Sequence, residues 1–302
     1  MHLIVPFAAA ASAAARAAAH TLALPQLEKL LAQCVAGAAL GGHERTLTAP
    51  HELALAQALG WSADDGALPW AARAAAREGV AVGTEAWGLL TPVHLHLGTE
   101  QVSLTDPDAL ELDAAASREL FAALEPLAAA DGVALYWGSP LRWYAAHASL
   151  ERLPTASLDR VIGRHIDAWL PEAPAARLMR RLQSEAQMLW HAHPVNQQRE
   201  AAELPVVNSF WLSGCGIAQP VIGAEPVVDD RLRRPALGED WAAWREAWHA
   251  LDAGPIAQLL AASEGTRLTL AGERRAVTYT RVARPWWRRW QRHAAHAVLE
   301  AL

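Results

Sequence analysis

A chain of 302 residues with 52% hydrophobic and 19% charged content is long enough for one large or two modest domains, and this composition excludes a disordered chain. A formal net charge of −6 excludes a protein that wraps nucleic acid by bulk electrostatics. No apolar run approaches the ~18 to 20 residues of a bilayer span, so no membrane partner is expected. Lys29 is the only lysine, and arginine carries nearly all the positive charge. Cys34 and Cys215 are the only cysteines, too few for a disulfide framework or a four-cysteine zinc site, which fits a reducing compartment. The opening MHLIVPFAAAA has an apolar run with no Lys or Arg before it. It therefore reads as a buried strand feeding an Ala-rich helix, not as a secretory leader, and cytoplasm is the expected location.

In chain order, the strand Leu3 to Phe7 is followed by helices opened by Pro25, Pro50 and Pro69, since proline is tolerated in a first helical turn. From Trp87 the period changes to alternation, and Val93, Leu95 and Leu97 followed by Val102 and Leu104 predict a β-hairpin. Asp113 to Asp131 returns to helical spacing, and Val133 to Trp137 reads as a strand. A long amphipathic helix is predicted from Ala175 to about His191 and ends at Pro194. Val206 to Leu212 is the best buried strand, closed by a Ser213-Gly214-Cys215-Gly216 turn, and a further strand is expected over Val221 to Val228. Trp241, Trp244 and Trp248 share one helical face, and Leu268 to Tyr279 suggests a last hairpin. Alternating β and α segments favour an α/β architecture: residues 1–84 and 206–302 as a discontinuous core with a mixed sheet flanked by helices, and 85–205 as an inserted α+β segment.

Several chemistries drop out by spacing. There is no G-x-S-x-G elbow, no Walker loop and no completed dinucleotide fingerprint. Cys215 in its glycine turn reads as a small filler residue, because Val221 stands where a phosphatase-type loop would carry arginine. The pairs His94/His96 and His191/His193 read as structural histidines, and no metal ligand set is assigned to them. The densest polar stretch is 191–216, where His193, Asn196 and Arg199 precede Asn208 inside an apolar strand. With Arg142 and Arg164 these residues form either a pocket for a phosphate or carboxylate, which arginine binds bidentately, or a polar network that pins helix to sheet. The C-terminal run from Arg274 to Arg292 interleaves arginines with Trp286, Trp287 and Trp290. Docking of those tryptophans on the core is expected over nucleic-acid binding.

The segments PVHLHLGTEQVSL (92–104), LRWY (141–144), VIGRHID (161–167), RRLQSEAQMLWHAHPVNQQRE (180–200) and PVVNSFWLSGCG (205–216) carry a resemblance spanning nearly the whole chain. They resemble a proteobacterial family known as cofactor-independent phosphoglycerate mutase or regulatory protein RpfE. Over residues 185–216 the pattern HPVN-x-x-R is also similar to archaeal-type cofactor-independent phosphoglycerate mutases of the alkaline phosphatase superfamily. The resemblance implies an alkaline phosphatase-like core, whole or reduced. If the chain is active, it implies a mutase-like phosphotransferase with a Ser or Thr nucleophile and two divalent metals, held by ligands that begin with an Asp just after the first strand. Here alanines follow that strand, so the expectation is a lapsed catalyst without a cofactor that binds a small phosphorylated or carboxylated metabolite. The alternative is a regulatory or interaction protein that uses the Trp/Arg-rich C-terminus.

Overall fold

The computed structural model describes residues 1–98, 101–171, 173–262, 265–282 and 294–302. The expectation for Trp286, Trp287 and Trp290 lies outside the described residues. The strands among them are β1 (His2–Val5), β2 (Cys34–Ala36), β3 (Leu40–Gly41), β4 (Ala86–Val93), β5 (Leu95–Leu97), β6 (Val102–Leu104), β7 (Ala134–Ser139), β8 (Arg142–Ala146), β9 (Ser209–Ile217), β10 (Val227–Val228), β11 (Arg267–Ala271) and β12 (Arg275–Arg281). The α-helices are α1 (Ala13–His20), α2 (Pro25–Leu31), α3 (Pro50–Leu59), α4 (Trp70–Arg77), α5 (Ala114–Ala130), α6 (Leu158–Val161), α7 (Arg177–His191), α8 (Pro194–Ala201), α9 (Arg233–Leu237), α10 (Trp241–Leu251), α11 (Ala257–Ala261) and α12 (Ala295–Glu300). Among the described residues no helix is long and apolar enough to cross a membrane.

The chain divides into two compact units, one of Met1–Trp61 with Val221–Leu302 and one of Ser62–Pro220. The first is α/β. Its mixed sheet runs β10-β1-β11-β12-β2, with β3 also paired to β12. β1 is parallel to both β10 and β11, and the remaining pairs are antiparallel. Alternation puts Leu3, Val5, Leu268 and Leu270 on one face, where they pack with Leu27, Trp244 and Trp248. The indoles of Trp241, Trp244 and Trp248 meet edge to face at 5.9 and 6.0 Å, the favoured geometry for aromatic pairs. Asp252, itself buried, accepts from the Leu27 N–H at 2.7 Å and the Gln26 N–H at 3.2 Å, capping α2 with a side chain far away in sequence.

The second unit is built on an antiparallel sheet in the order β7-β8-β4-β9, with β5 and β6 as a separate hairpin. This placement moves the boundaries from those expected at 84/85 and 205/206. β9 pairs with β4 along its length, from Ala86↔Ile217 to Val93↔Ser209, so the apolar run after residue 206 belongs to the sheet of the second unit. α4 comes with it, packing Ala71, Ala72 and Ala75 against Trp87 and Tyr144. The segment read as a closing turn at 213–216 is strand interrupted by a register shift opposite Trp87 and Leu89. Gly214 has φ +63°, and a Cβ there would lie 2.9 Å from Trp70 Cβ, so only glycine lets α4 approach β9 this closely. Only Val227–Val228 of the strand expected over 221–228 is extended and paired.

On the other face of the first sheet, His2 is buried, and its Nε2 lies 2.8 Å from Thr269 Oγ1, which is 2.7 Å from Thr278 Oγ1. Burial, assisted by Arg267, lowers the imidazole pKa from 6.5 to about 4, so His2 is neutral in the native state. The unfolded chain then binds more protons than the native one as pH falls through 6.5, and stability drops until about pH 4. The upper bound on this loss is about 3.5 kcal/mol at ~1.4 kcal/mol per pKa unit. In urea unfolding at pH 7 and pH 4.5, His2→Asn is expected to flatten the acid-induced loss. An unchanged pH dependence in the variant would show that other groups cause it.

Candidate functional site

The junction of α7, α8 and β9 gathers the buried polar side chains of Asn196, Arg199 and Ser209. α7 ends at His191, and Pro194 in the first turn of α8 makes a second helix start at once. His193 caps that helix, its Nδ1 accepting from the Val195 N–H at 3.2 Å. Asn196 is 2% exposed and satisfies both ends of its amide. Its Nδ2 donates to the Trp190 and Val207 carbonyls, each at 2.8 Å, and its Oδ1 accepts from the Val207 N–H at 2.9 Å. Arg199 is also buried, donating from Nε to the Pro205 carbonyl at 2.8 Å and from a terminal nitrogen to the Leu110 carbonyl. Burial lowers its pKa, while Asp113 and Glu111 oppose the shift. Asn208 behaves as a strand partner: its Oδ1 accepts from the Leu95 N–H at 2.7 Å and its Nδ2 donates to the Leu95 carbonyl at 2.9 Å.

Asn196 and Asn208 line one cleft of about 660 Å³, together with Gln187, His191 and Glu200. Its apolar wall is Leu95, Leu97, Val102, Ile166, Met188 and Val206. Arg199 is not part of the lining, since its guanidinium is turned onto backbone carbonyls. Arg142 is exposed and paired with Glu78 at 2.6 Å, and Arg164 follows the turn at Gly163; neither lines this cleft. The structure therefore brings the two asparagines to one cleft, keeps Arg199 at the same corner but turned onto backbone carbonyls, and places Arg142 and Arg164 outside the lining. With no Arg or Lys and one carboxylate, Glu200, among the described residues of its lining, the cleft is not built for an anion. Cys215 is fully buried, and burial pushes its thiol up to about 12, so it is an inert packing residue.

The first unit carries a second cleft, of about 210 Å³, beyond the C-terminal end of β1. Ala9, Ala10 and Ala11 form one side, and Arg16, Glu273 and Arg274 approach it from α1 and from the β11–β12 turn. Ser12 caps α1, accepting from the Ala15 N–H at 3.1 Å, so the positive end of the helix dipole faces this region. Glu273 Oε2 accepts from the Ala11 N–H at 2.9 Å, a carboxylate placed on a backbone donor. Glu300 is paired with His20 at 2.6 Å. No hydrogen bond or ion pair joins the Arg16 or Arg274 guanidinium to another described residue. The sequence pattern gave no sign of Arg16 at this cleft and placed Arg274 only in the C-terminal Arg/Trp run. The available signal was positional, because ligands of open α/β sheets bind beyond the carboxyl ends of the parallel strands.

A two-metal centre of the kind the sequence resemblance implies requires clustered carboxylates and imidazoles. The chain after β1 offers Ala8, Ala9, Ala10 and Ala11, and among the described residues no group of three or more His, Cys, Asp or Glu could hold a metal ion. The donor set does not fit that centre.

No family model matches the chain, and no curated protein matches it. Among solved structures it is similar to the cofactor-independent phosphoglycerate mutase from Thermoplasma acidophilum DSM 1728, at 12% identity over 100% of this chain and 98% of that one, with a TM-score of 0.38. It is also similar to the PH0037 protein from Pyrococcus horikoshii, at 10% identity over 99% of this chain and 95% of that one, with a TM-score of 0.46.

The two asparagines differ in burial, and truncating them should differ in cost. Asn196→Ala leaves the buried N–H and C=O of Val207 without their partner, while the Trp190 carbonyl keeps the His193 N–H, and is expected to destabilise the protein by about 2 to 4 kcal/mol in urea unfolding. Asn208→Ala, at a half-buried position that water can reach, should cost only about 1 to 2 kcal/mol. Equal costs would mean that Asn196 is not the anchor of this junction.

Proposed function

We propose that this chain is a phosphoglycerate mutase-like protein, lapsed as a catalyst, that binds a small phosphorylated or carboxylated metabolite in the cleft beyond β1. The observation that carries this reading is the pair Arg16 and Arg274, two guanidinium groups without a partner among the described residues, lining a cleft at the start of α1. Guanidinium groups recognise phosphate and carboxylate bidentately, and a helix start adds fixed positive potential. The cleft volume of about 210 Å³ suits a small metabolite and not a nucleotide. The alanines after β1 support the loss of chemistry: without carboxylate ligands there, no metal lowers the charge of a transferring phosphoryl group.

Glu273 sets the affinity of such a site. Its carboxylate already holds the Ala11 N–H, so an incoming anion must compete with it.

Calorimetric titration with 3-phosphoglycerate and inorganic phosphate tests this reading. The paired substitution Arg16→Gln/Arg274→Gln is expected to weaken binding about tenfold or more, since charge-assisted hydrogen bonds contribute ~1.5 to 3 kcal/mol each. Glu273→Gln should tighten it. Addition of Mn²⁺ should bring neither stoichiometric metal binding nor mutase turnover. Binding indifferent to the arginine pair, or chelator-sensitive turnover, would overturn the proposal.

A further inference from the structure

The cleft of the second unit is unused by the function proposed above, and its lining specifies a different ligand. Leu97 is 77% exposed and Met188 72% exposed, the first on the β5–β6 hairpin and the second on α7. Large apolar side chains left this open beside a concavity mark a binding surface. Between them the cleft encloses about 660 Å³, within the ~300 to 1,000 Å³ of small-molecule sites. Its apolar wall comprises only six side chains, short of the ~20 to 30 residues per side that a stable protein interface recruits. A small molecule fits; a folded partner does not.

The polar groups give the sign of that molecule. Among the described residues Glu200 is the only carboxylate in the lining, and neither Arg nor Lys is among them to neutralise it. Arg199, one residue away, is committed to the Leu110 and Pro205 carbonyls. Asn208 donates one of its two amide hydrogens to Leu95, leaving the other for an acceptor. Gln187 Nε2 reaches Ser209 Oγ only at 3.4 Å. An anion entering here would meet Glu200 with no cation to offset it, whereas a positive head group would pair with it while its body covered Leu95, Val102 and Ile166.

We infer that this cleft is a binding site for a small amphipathic amine, with an aliphatic body against the Leu97 and Met188 walls and an ammonium directed to Glu200. The site lies wholly within the second unit, so its success or failure is independent of the anion site proposed beyond β1.

The three methionines supply the readout. Met1 is 59% exposed, Met179 is 2% exposed in the core, and Met188 alone among them lines the cleft. Protein carrying ¹³C-methyl methionine is titrated at pH 8 with n-octylammonium, n-octanol and octanoate below their micellar concentrations. The expected result is a saturable shift of Met188 alone, with affinity falling from amine to alcohol to carboxylate. An exposed ion pair contributes up to ~1 kcal/mol, so the amine should bind about three- to fivefold more tightly than the alcohol. Glu200→Gln should abolish that preference and leave octanol affinity unchanged, and Leu97→Ser should weaken all three ligands. Both substitutions are at exposed positions, and unchanged Met179 signals verify that the core is intact. Three results would each overturn the inference: octanoate binding as tightly as the amine; parallel, unsaturating shifts of Met1 and Met188, the signature of non-specific partition; or a Met188 shift that depends on protein concentration without ligand, which would make a second copy the occupant.

Discussion

A primary amide buried where a helix hands over to a sheet must satisfy both a donor and an acceptor, or the junction opens to water. Asn196 does this by bridging the Trp190 carbonyl at the end of α7 to both backbone polar groups of Val207, just before β9. Much of the second unit is organised around that bridge. With its carbonyl held, Trp190 projects its indole into the core, donating to the Leu120 carbonyl at 3.2 Å and meeting Trp143 and Phe210 edge to face at 5.8 and 6.4 Å. Trp143 continues the chain to Phe121 at 5.4 Å and to Ser117, whose hydroxyl accepts from both Trp137 and Trp143 at 3.0 Å. Two residues after Val207, β9 begins in register with β4, Ser209 opposite Val93. Arg199 and Asn208 reinforce the same corner through main-chain carbonyls and amides, which is why so polar a stretch leaves no guanidinium for a ligand.

The first unit manages its polar groups differently. Three alanines at the end of β1 present backbone and methyl groups only, and charge comes from outside the loop, from α1 and the β11–β12 turn. The two guanidinium groups therefore stand on flanking elements and not on the loop after β1 itself.

Periodicity made much of the architecture legible. The run Leu3 to Phe7, the alternation across 93–104, the stripe of α7 and its end before Pro194 all carry their conformation in local spacing, and each element formed near its expected position. That Asn208 needs a partner was likewise readable, since an amide in an apolar strand has no other fate. Which partner it takes was not: Leu95 is supplied by a hairpin more than a hundred residues earlier. The same holds for β9, whose apolar run suited either sheet until pairing with β4 decided the matter, and for Arg199, where basic character says nothing about whether carbonyls or a ligand receive its protons. The meeting of Arg16 and Arg274 was invisible because only the fold brings α1 and the β11–β12 turn to one cleft.

The placement of β1 also orders the assembly of the protein in time. Leu3 pairs with Val227 on one side and with Leu268 on the other, and Leu3, Ile4 and Val5 are completely buried in the finished sheet. During synthesis at roughly 5 to 20 residues per second, this apolar strand precedes its sheet neighbours by on the order of ten to fifty seconds. The second unit, a continuous stretch from Ser62 to Pro220, has all its sheet partners on the chain before then. The sheet of the first unit thus cannot close until β10 and β11 have been made, whereas the sheet of the second unit needs nothing beyond Pro220.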